Sequence, residues 1–208
     1  MICGKGWSAM EYLVTMTTHV PEGTAPETVD DVRAREAANS RGLAETGRLL
    51  RLWRPPLRPG EWRTLGLFAA PDEVRLEEVL SAMPLRVWRS DEVTPLTPHP
   101  NDPGPAPAAA PVGAQEFLVT FAPAGAVAQR LAETAAAEAA RAKELAAAGH
   151  LVRLWRTSAD RALGLWRARD ATELRTALDS LPQAPWLTTT TTPLTEHPND
   201  PGSGTPQA

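Results

Sequence analysis

The sequence predicts an α+β fold built twice over in one chain, and three observations carry that expectation. First, residues 95–103 read PLTPHPNDP and residues 193–201 read PLTEHPNDP, eight identities in nine positions at an offset of 98. Second, Arg51-Leu52-Trp53-Arg54 returns as Arg153-Leu154-Trp155-Arg156 at an offset of 102. Leu65-Gly66-Leu67 likewise returns as Leu163-Gly164-Leu165, and Met83-Pro84 as Leu181-Pro182. Third, each copy alternates strand-like and helix-like periodicity in the same order. Same-order matches over roughly ninety residues indicate two copies of one domain rather than a solenoid. Positions kept in both copies mark what the domain needs.

The elements follow in order. Tyr12, Val14 and Met16 alternate with Leu13, Thr15 and Thr17, as Phe117, Val119 and Phe121 do with Leu118 and Thr120, which is the period of a strand. Breaks follow at Pro21, Gly23 and Pro26, and at Pro123 and Gly125. Long helices are expected over Glu27–Thr46 and Ala126–Ala148, closed by Gly47 and Gly149 at the usual C-terminal glycine position. The next strands are Leu49–Arg54 and Leu151–Arg156, with hairpin partners Trp62–Phe68 and Ala162–Trp166. The first hairpin loop is proline-rich and four residues longer, which lowers the offset from 102 to 98. Second helices span Asp72–Met83 and Asp170–Leu181, with Leu76, Leu80 and Met83 matching Leu174, Leu178 and Leu181 as one apolar stripe. Last strands run over Trp88–Thr94 and Trp186–Thr192. This β-α-β-β-α-β order is the ferredoxin-like split βαβ. The fold class is therefore two ferredoxin-like βαββαβ domains forming an intrachain dimeric α+β barrel.

The domains are placed at 10–103 and 115–201. An extension covers 1–9, a Pro/Ala linker 104–114 and a polar tail 202–208. Domains of this size have thin cores, so pairing of the two repeats would help both bury surface. A net charge of -4 without a basic stripe argues against nucleic acid as a partner. The uncharged stretch from Phe117 to Ala128 is too short and broken to span a bilayer, so no membrane partner is expected. Cys3 stands alone, leaving no disulfide framework or thiolate metal cluster. The first residues lack the apolar run of a secretory signal, so the expected address is the cytoplasm.

Met10-Glu11-Tyr12-Leu13-Val14-Thr15-Met16-Thr17, Leu52-Trp53-Arg54, Met83-Pro84-Leu85 and His99-Pro100 together resemble the muconolactone Δ-isomerase family over nearly all of each repeat. Copy one is the closer match. The resemblance implies a cofactor-independent isomerase, with no metal, that moves a double bond within a five-membered unsaturated lactone bearing a carboxymethyl arm, in aromatic-ring catabolism. The implied ligand is a small anionic lactone or related organic acid. Family members are usually single domains that assemble into larger oligomers, so fusion departs from the pattern and leaves room for further homo-oligomerisation. Two alternatives stand beside this reading. One is a same-fold isomerase or cyclase of secondary metabolism; the other is a non-catalytic ligand-binding or assembly module.

Glu36 and Glu138 match at the offset of 102, and Glu36 coincides with a family glutamate on the first helix. Val29 and Leu43 lie seven residues to either side of Glu36, as Leu131 and Leu145 do of Glu138, so each carboxylate sits on the apolar stripe. Burial there raises a carboxyl pKa toward the range of a general base; the bland reading is a glutamate at the stripe edge pairing with a sheet arginine. Arg54 and Arg156 share a strand face with Leu52 and Leu154, while Arg51 and Arg153 share the other with Trp53 and Trp155. One face must meet the helices, so at least one arginine per copy needs an anion, either a ligand carboxylate or the nearby glutamate. Trp53 and Trp155 suit a core or interface, and can wall a substrate pocket as well. His99 and His197 are candidate proton carriers, although their Asn-Asp-Pro setting also reads as a fixed turn that latches onto a neighbour. No cluster has metal-ligand spacing and no phosphate loop is present.

Overall fold

The computed structural model describes residues 9–106 and 108–202; residues 1–8 of the expected extension, with Cys3, and 203–208 of the tail lie outside them. The first repeat contains β1 (Met10–Thr18), α1 (Pro26–Glu45), β2 (Leu49–Arg54), β3 (Arg63–Ala70), α2 (Glu73–Ser81) and β4 (Arg89–Pro98). The second contains β5 (Gln115–Pro123), α3 (Ala128–Ala147), β6 (Leu151–Arg156), β7 (Ala162–Ala168), α4 (Ala171–Asp179) and β8 (Leu187–Glu196). A short 3-10 helix precedes each last strand, Pro84–Trp88 and Ala184–Trp186. The βαββαβ order expected from the sequence is the observed one in both copies. None of the helices among the described residues is long and apolar enough to cross a membrane.

Each element forms for a local reason. In β1 the alternation sends Tyr12, Val14 and Met16 into a cluster with Leu49, Leu52, Phe68, Leu76 and Leu80. Phe117, Val119 and Phe121 of β5 do the same with Leu151, Leu154, Trp166, Leu174 and Leu178. Asp72 and Asp170 stand just outside α2 and α4 and accept hydrogen bonds from Arg75 N–H, and from Thr172 and Glu173 N–H. They are N-caps, so the helices start one residue later than the apolar stripe suggested. Gly47 (φ 67°) and Gly149 (φ 79°) end α1 and α3 in the left-handed conformation that glycine adopts freely.

The last strands are longer than expected. The sequence places their ends at Thr94 and Thr192, just before a proline, a residue that cannot donate to a ladder. In the structure, Pro95 faces Tyr12 and Pro193 faces Phe117, and the strands continue to bury Leu96 and Leu194.

The chain gathers into two compact units whose limits are not those of the repeats. One unit comprises the residues up to Leu96 and those from Glu196 onward; the other is Thr97–Thr195. In the first, β1 lies between β3 and β4, and β3 also pairs with β2, all antiparallel. In the second, β5 lies between β7 and β8, and β7 also pairs with β6. Each unit therefore ends its own strands and then receives the closing segment of the other repeat. Thr97 and Pro98 pair with Arg156 and Trp155 in the second unit. His197 N–H donates to Leu52 C=O, 3.3 Å away, in the first.

Candidate functional site

The exchanged segments are fixed by an aspartate. Asp200 accepts from Leu52 N–H at 2.7 Å and from Arg51 Nε and Nη2 at 3.0–3.2 Å. In the second unit Asp102 accepts from Leu154 N–H at 2.8 Å and from Arg153 Nε and Nη2 at 3.2–3.3 Å. Arg51 and Arg153 also lie over the rings of Trp53 and Trp155, at 4.9 and 4.8 Å. The arginine that needs an anion on each second strand thus finds an aspartate from the other repeat's tail. Neither these arginines nor their tryptophans line the two cavities described below.

The same turn sets the histidines. Asn101 N–H donates to His99 Nδ1 and Asn199 N–H to His197 Nδ1, both at 3.1 Å. A neutral imidazole that accepts at Nδ1 carries its proton on Nε2. Burial, and then the charge of Arg54, push His197 down to about 4. Burial and Arg156 also lower His99. Both rings are therefore neutral near pH 7, with an Nε2–H to donate.

The glutamates reach the sites from the first helix of each repeat. Both are only 8% exposed. Glu36 accepts from Leu85 N–H at 2.8 Å and from Arg89 Nη1 at 3.2 Å. Glu138 accepts from Gln183 N–H at 2.9 Å. The Met83-Pro84 and Leu181-Pro182 steps lead to these amides, Leu85 inside its 3-10 helix and Gln183 at the N-cap of the other. Burial raises both carboxyls above the ordinary range, the amide bonds oppose the rise, and at Glu36 the Arg89 charge opposes it as well.

Each unit holds a cavity where these groups meet. In the first unit a cavity of about 200 Å³ is lined by Glu36, Arg54, Arg89 and His197 among others. In the second, a cavity of about 530 Å³ is lined by Glu138, Arg156 and His99, with Phe121, Leu154 and Trp166 as apolar walls. Glutamate and strand-end arginine come from one repeat and the histidine from the other. Arg54 and Arg156 end exposed at these cavities rather than paired with the glutamates. The sheet arginine beside Glu36 is instead Arg89, which also meets Asp91 at 2.6 Å.

Sequence reasoning missed Asp102, Asp200 and Arg89. The aspartates recur in both copies inside the Asn-Asp-Pro turn, so the filter that singled out Glu36 would have reached them. Arg89 has Leu187 as its counterpart and left no such signal. Among the described residues there is no group of three His, Cys, Asp or Glu side chains that could hold a metal ion.

Comparison with known proteins agrees with the doubling. The family model for muconolactone delta-isomerase matches residues 10–102 and again 116–200. Muconolactone Delta-isomerase 1 of Acinetobacter lwoffii is 32% identical over 92 residues, 44% of this chain and 93% of that protein. Muconolactone Delta-isomerase of Cupriavidus pinatubonensis is 33% identical over 92 residues, 44% of this chain and 97% of the relative. Among solved structures, a heme-binding protein of Thermus thermophilus matches with a TM-score of 0.58 at 12% identity, over 91% of this chain and 92% of its own. A mutant chlorite dismutase from Candidatus Nitrospira defluvii matches with a TM-score of 0.58 at 11% identity, over 90% and 91%. At such identities the likeness is one of fold alone. It runs through nine-tenths of the chain, in keeping with the α+β barrel class expected from the sequence.

Proposed function

We propose that this chain, which belongs to the muconolactone Δ-isomerase family, shifts a carbon–carbon double bond in a small unsaturated lactone acid by proton transfer. The observation that carries the reading is a buried carboxylate beside a neutral histidine and an exposed arginine at one cavity. Arg156, whose counterpart in the first unit is Arg54, anchors the substrate's carboxylate, for which a guanidinium fork is suited. Glu138, whose counterpart in the first unit is Glu36, takes a proton from the ring carbon next to the carboxymethyl arm. The electron pair left behind spreads to the ring carbonyl oxygen, giving a dienolate. The same carboxyl then returns its proton at the far carbon of the conjugated system, so no net proton is gained or lost.

His99 (His197) plays a narrower part in this reading than a proton carrier would. Held neutral by burial, its Nε2–H donates a hydrogen bond to the dienolate oxygen, where charge develops. The raised glutamate pKa suits a base that must also give its proton back near neutral pH. Apolar walls keep water from the intermediate.

The test is the Glu36→Gln/Glu138→Gln double variant, assayed with muconolactone by proton NMR. Positioned acid–base catalysis supplies about 10²–10⁴-fold, so turnover should fall by at least that factor while the fold, followed by circular dichroism, is kept. Unchanged turnover would remove both glutamates from the mechanism.

A further inference from the structure

The two cavities differ at several corresponding positions, and the exchanges run both ways: Trp62 and Leu85 of the first give way to the polar Asp160 and Gln183 of the second. At corresponding positions, Thr18, Ser40, Thr64 and Arg89 of the first are replaced by Pro123, Ala142, Ala162 and Leu187 of the second. The strand registers verify the pairing, because Thr18 faces Arg89 as Pro123 faces Leu187. Four polar side chains have thus become apolar. The largest change is Arg89, whose guanidinium is 1% exposed and meets Glu36, Asp91 and the Leu80 carbonyl. Arg33 lies over Trp62 at 5.2 Å and lines the same small cavity. The first glutamate already has its cation and the space beside it is occupied. The second has neither.

Sites that enclose a small organic molecule usually measure about 300–1,000 Å³. The second cavity, at about 530 Å³, falls in that range, and the first, at about 200 Å³, falls below it. We infer that the second unit holds the one working ligand site, for an anion with an apolar body, and that Arg89 has closed the first by taking Glu36 as its internal partner. This rests on the proposed function for what the site does, but not for what it binds. Leu187 and Arg89 are the positions that decide which unit accepts ligand. Retaining the first site as a closed ion pair keeps its helix and 3-10 turn joined through Glu36 and Leu85 N–H, which is a structural use of the same carboxylate.

The experiment titrates the full chain with phenylacetate, an apolar-bodied carboxylate that does not need to react, by isothermal calorimetry. One equivalent per chain is expected. The Leu187→Arg variant should lose that binding at least tenfold in affinity, together with muconolactone turnover, while Arg89→Leu should raise the stoichiometry toward two. Two equal equivalents in the unmodified protein, no binding at all, or undiminished binding by Leu187→Arg would each overturn the inference. The wild-type stoichiometry decides the matter even if Arg89→Leu fails to fold. A chain that binds one equivalent of phenylacetate yet does not turn over muconolactone would retire the isomerase reading and leave this one standing.

Discussion

Asp200 holds Arg51 across 149 positions of sequence, accepting from two nitrogens of its guanidinium and from the Leu52 amide. Asp102 repeats the arrangement with Arg153 and Leu154. The contact both satisfies a cation on the sheet and sets the histidine three residues earlier against the neighbouring strand. Stability and the site are therefore linked through one side chain.

Asp200→Ala removes the carboxylate from a partly buried arginine, with the Asp200 side chain itself at 0% exposure. Breaking a buried pair from one side typically costs about 3–5 kcal/mol. Urea unfolding should show a loss at the lower end of that range, since Arg51 is 17% exposed and water can reach it. Asp102→Ala should cost a comparable amount. No change in midpoint for either variant would mean the tails are not held by this clamp.

Gly66 and Gly164 are the least replaceable glycines in the sheets. A Cβ at Gly66 would run into the Phe68 ring, and one at Gly164 into Trp166 Nε1. Gly66→Ala and Gly164→Ala should each destabilise by about 1–3 kcal/mol through overpacking. Thermal melts followed by far-ultraviolet circular dichroism check this.

Acid should weaken the tail contact of the first unit. His197 titrates at about 4 in the folded protein against 6.5 as its ordinary value. Between those values the unfolded chain binds more protons, so stability rises with pH through the window and is lost as pH falls. Denaturation curves from pH 7 to 4 should flatten when His197 is replaced by Gln. An unaltered slope would place the titration elsewhere.

Arg156→Ala should raise KM for muconolactone far more than it lowers kcat, since the residue is assigned to anchoring rather than to proton transfer. Arg156→Lys should restore part of the loss, keeping the charge without the fork. A fall confined to kcat would contradict the anchoring role.

Much of the fold and of the site is legible in the sequence. The duplication and the period-two strands yield the element order, and the apolar neighbours seven residues either side of Glu36 and Glu138 place both carboxylates on the buried stripe. The tail exchange was less accessible. A local pattern states that His99-Pro100-Asn101-Asp102-Pro103 is a turn, but not which strand receives it. The ladder through Pro95 and Pro193 was hidden because proline ordinarily breaks a strand. Arg89 was invisible for a different reason: it differs between copies, and a filter built on agreement passes over the position where the copies diverge.

The most direct test is a carbon-13 NMR titration of the Glu138 carboxyl, assigned by its disappearance in Glu138→Gln. Its burial against a single amide bond predicts a midpoint clearly above the ordinary glutamate value of about 4.3. A midpoint at or below that value would contradict the claim that this carboxylate is held ready to take and return a proton.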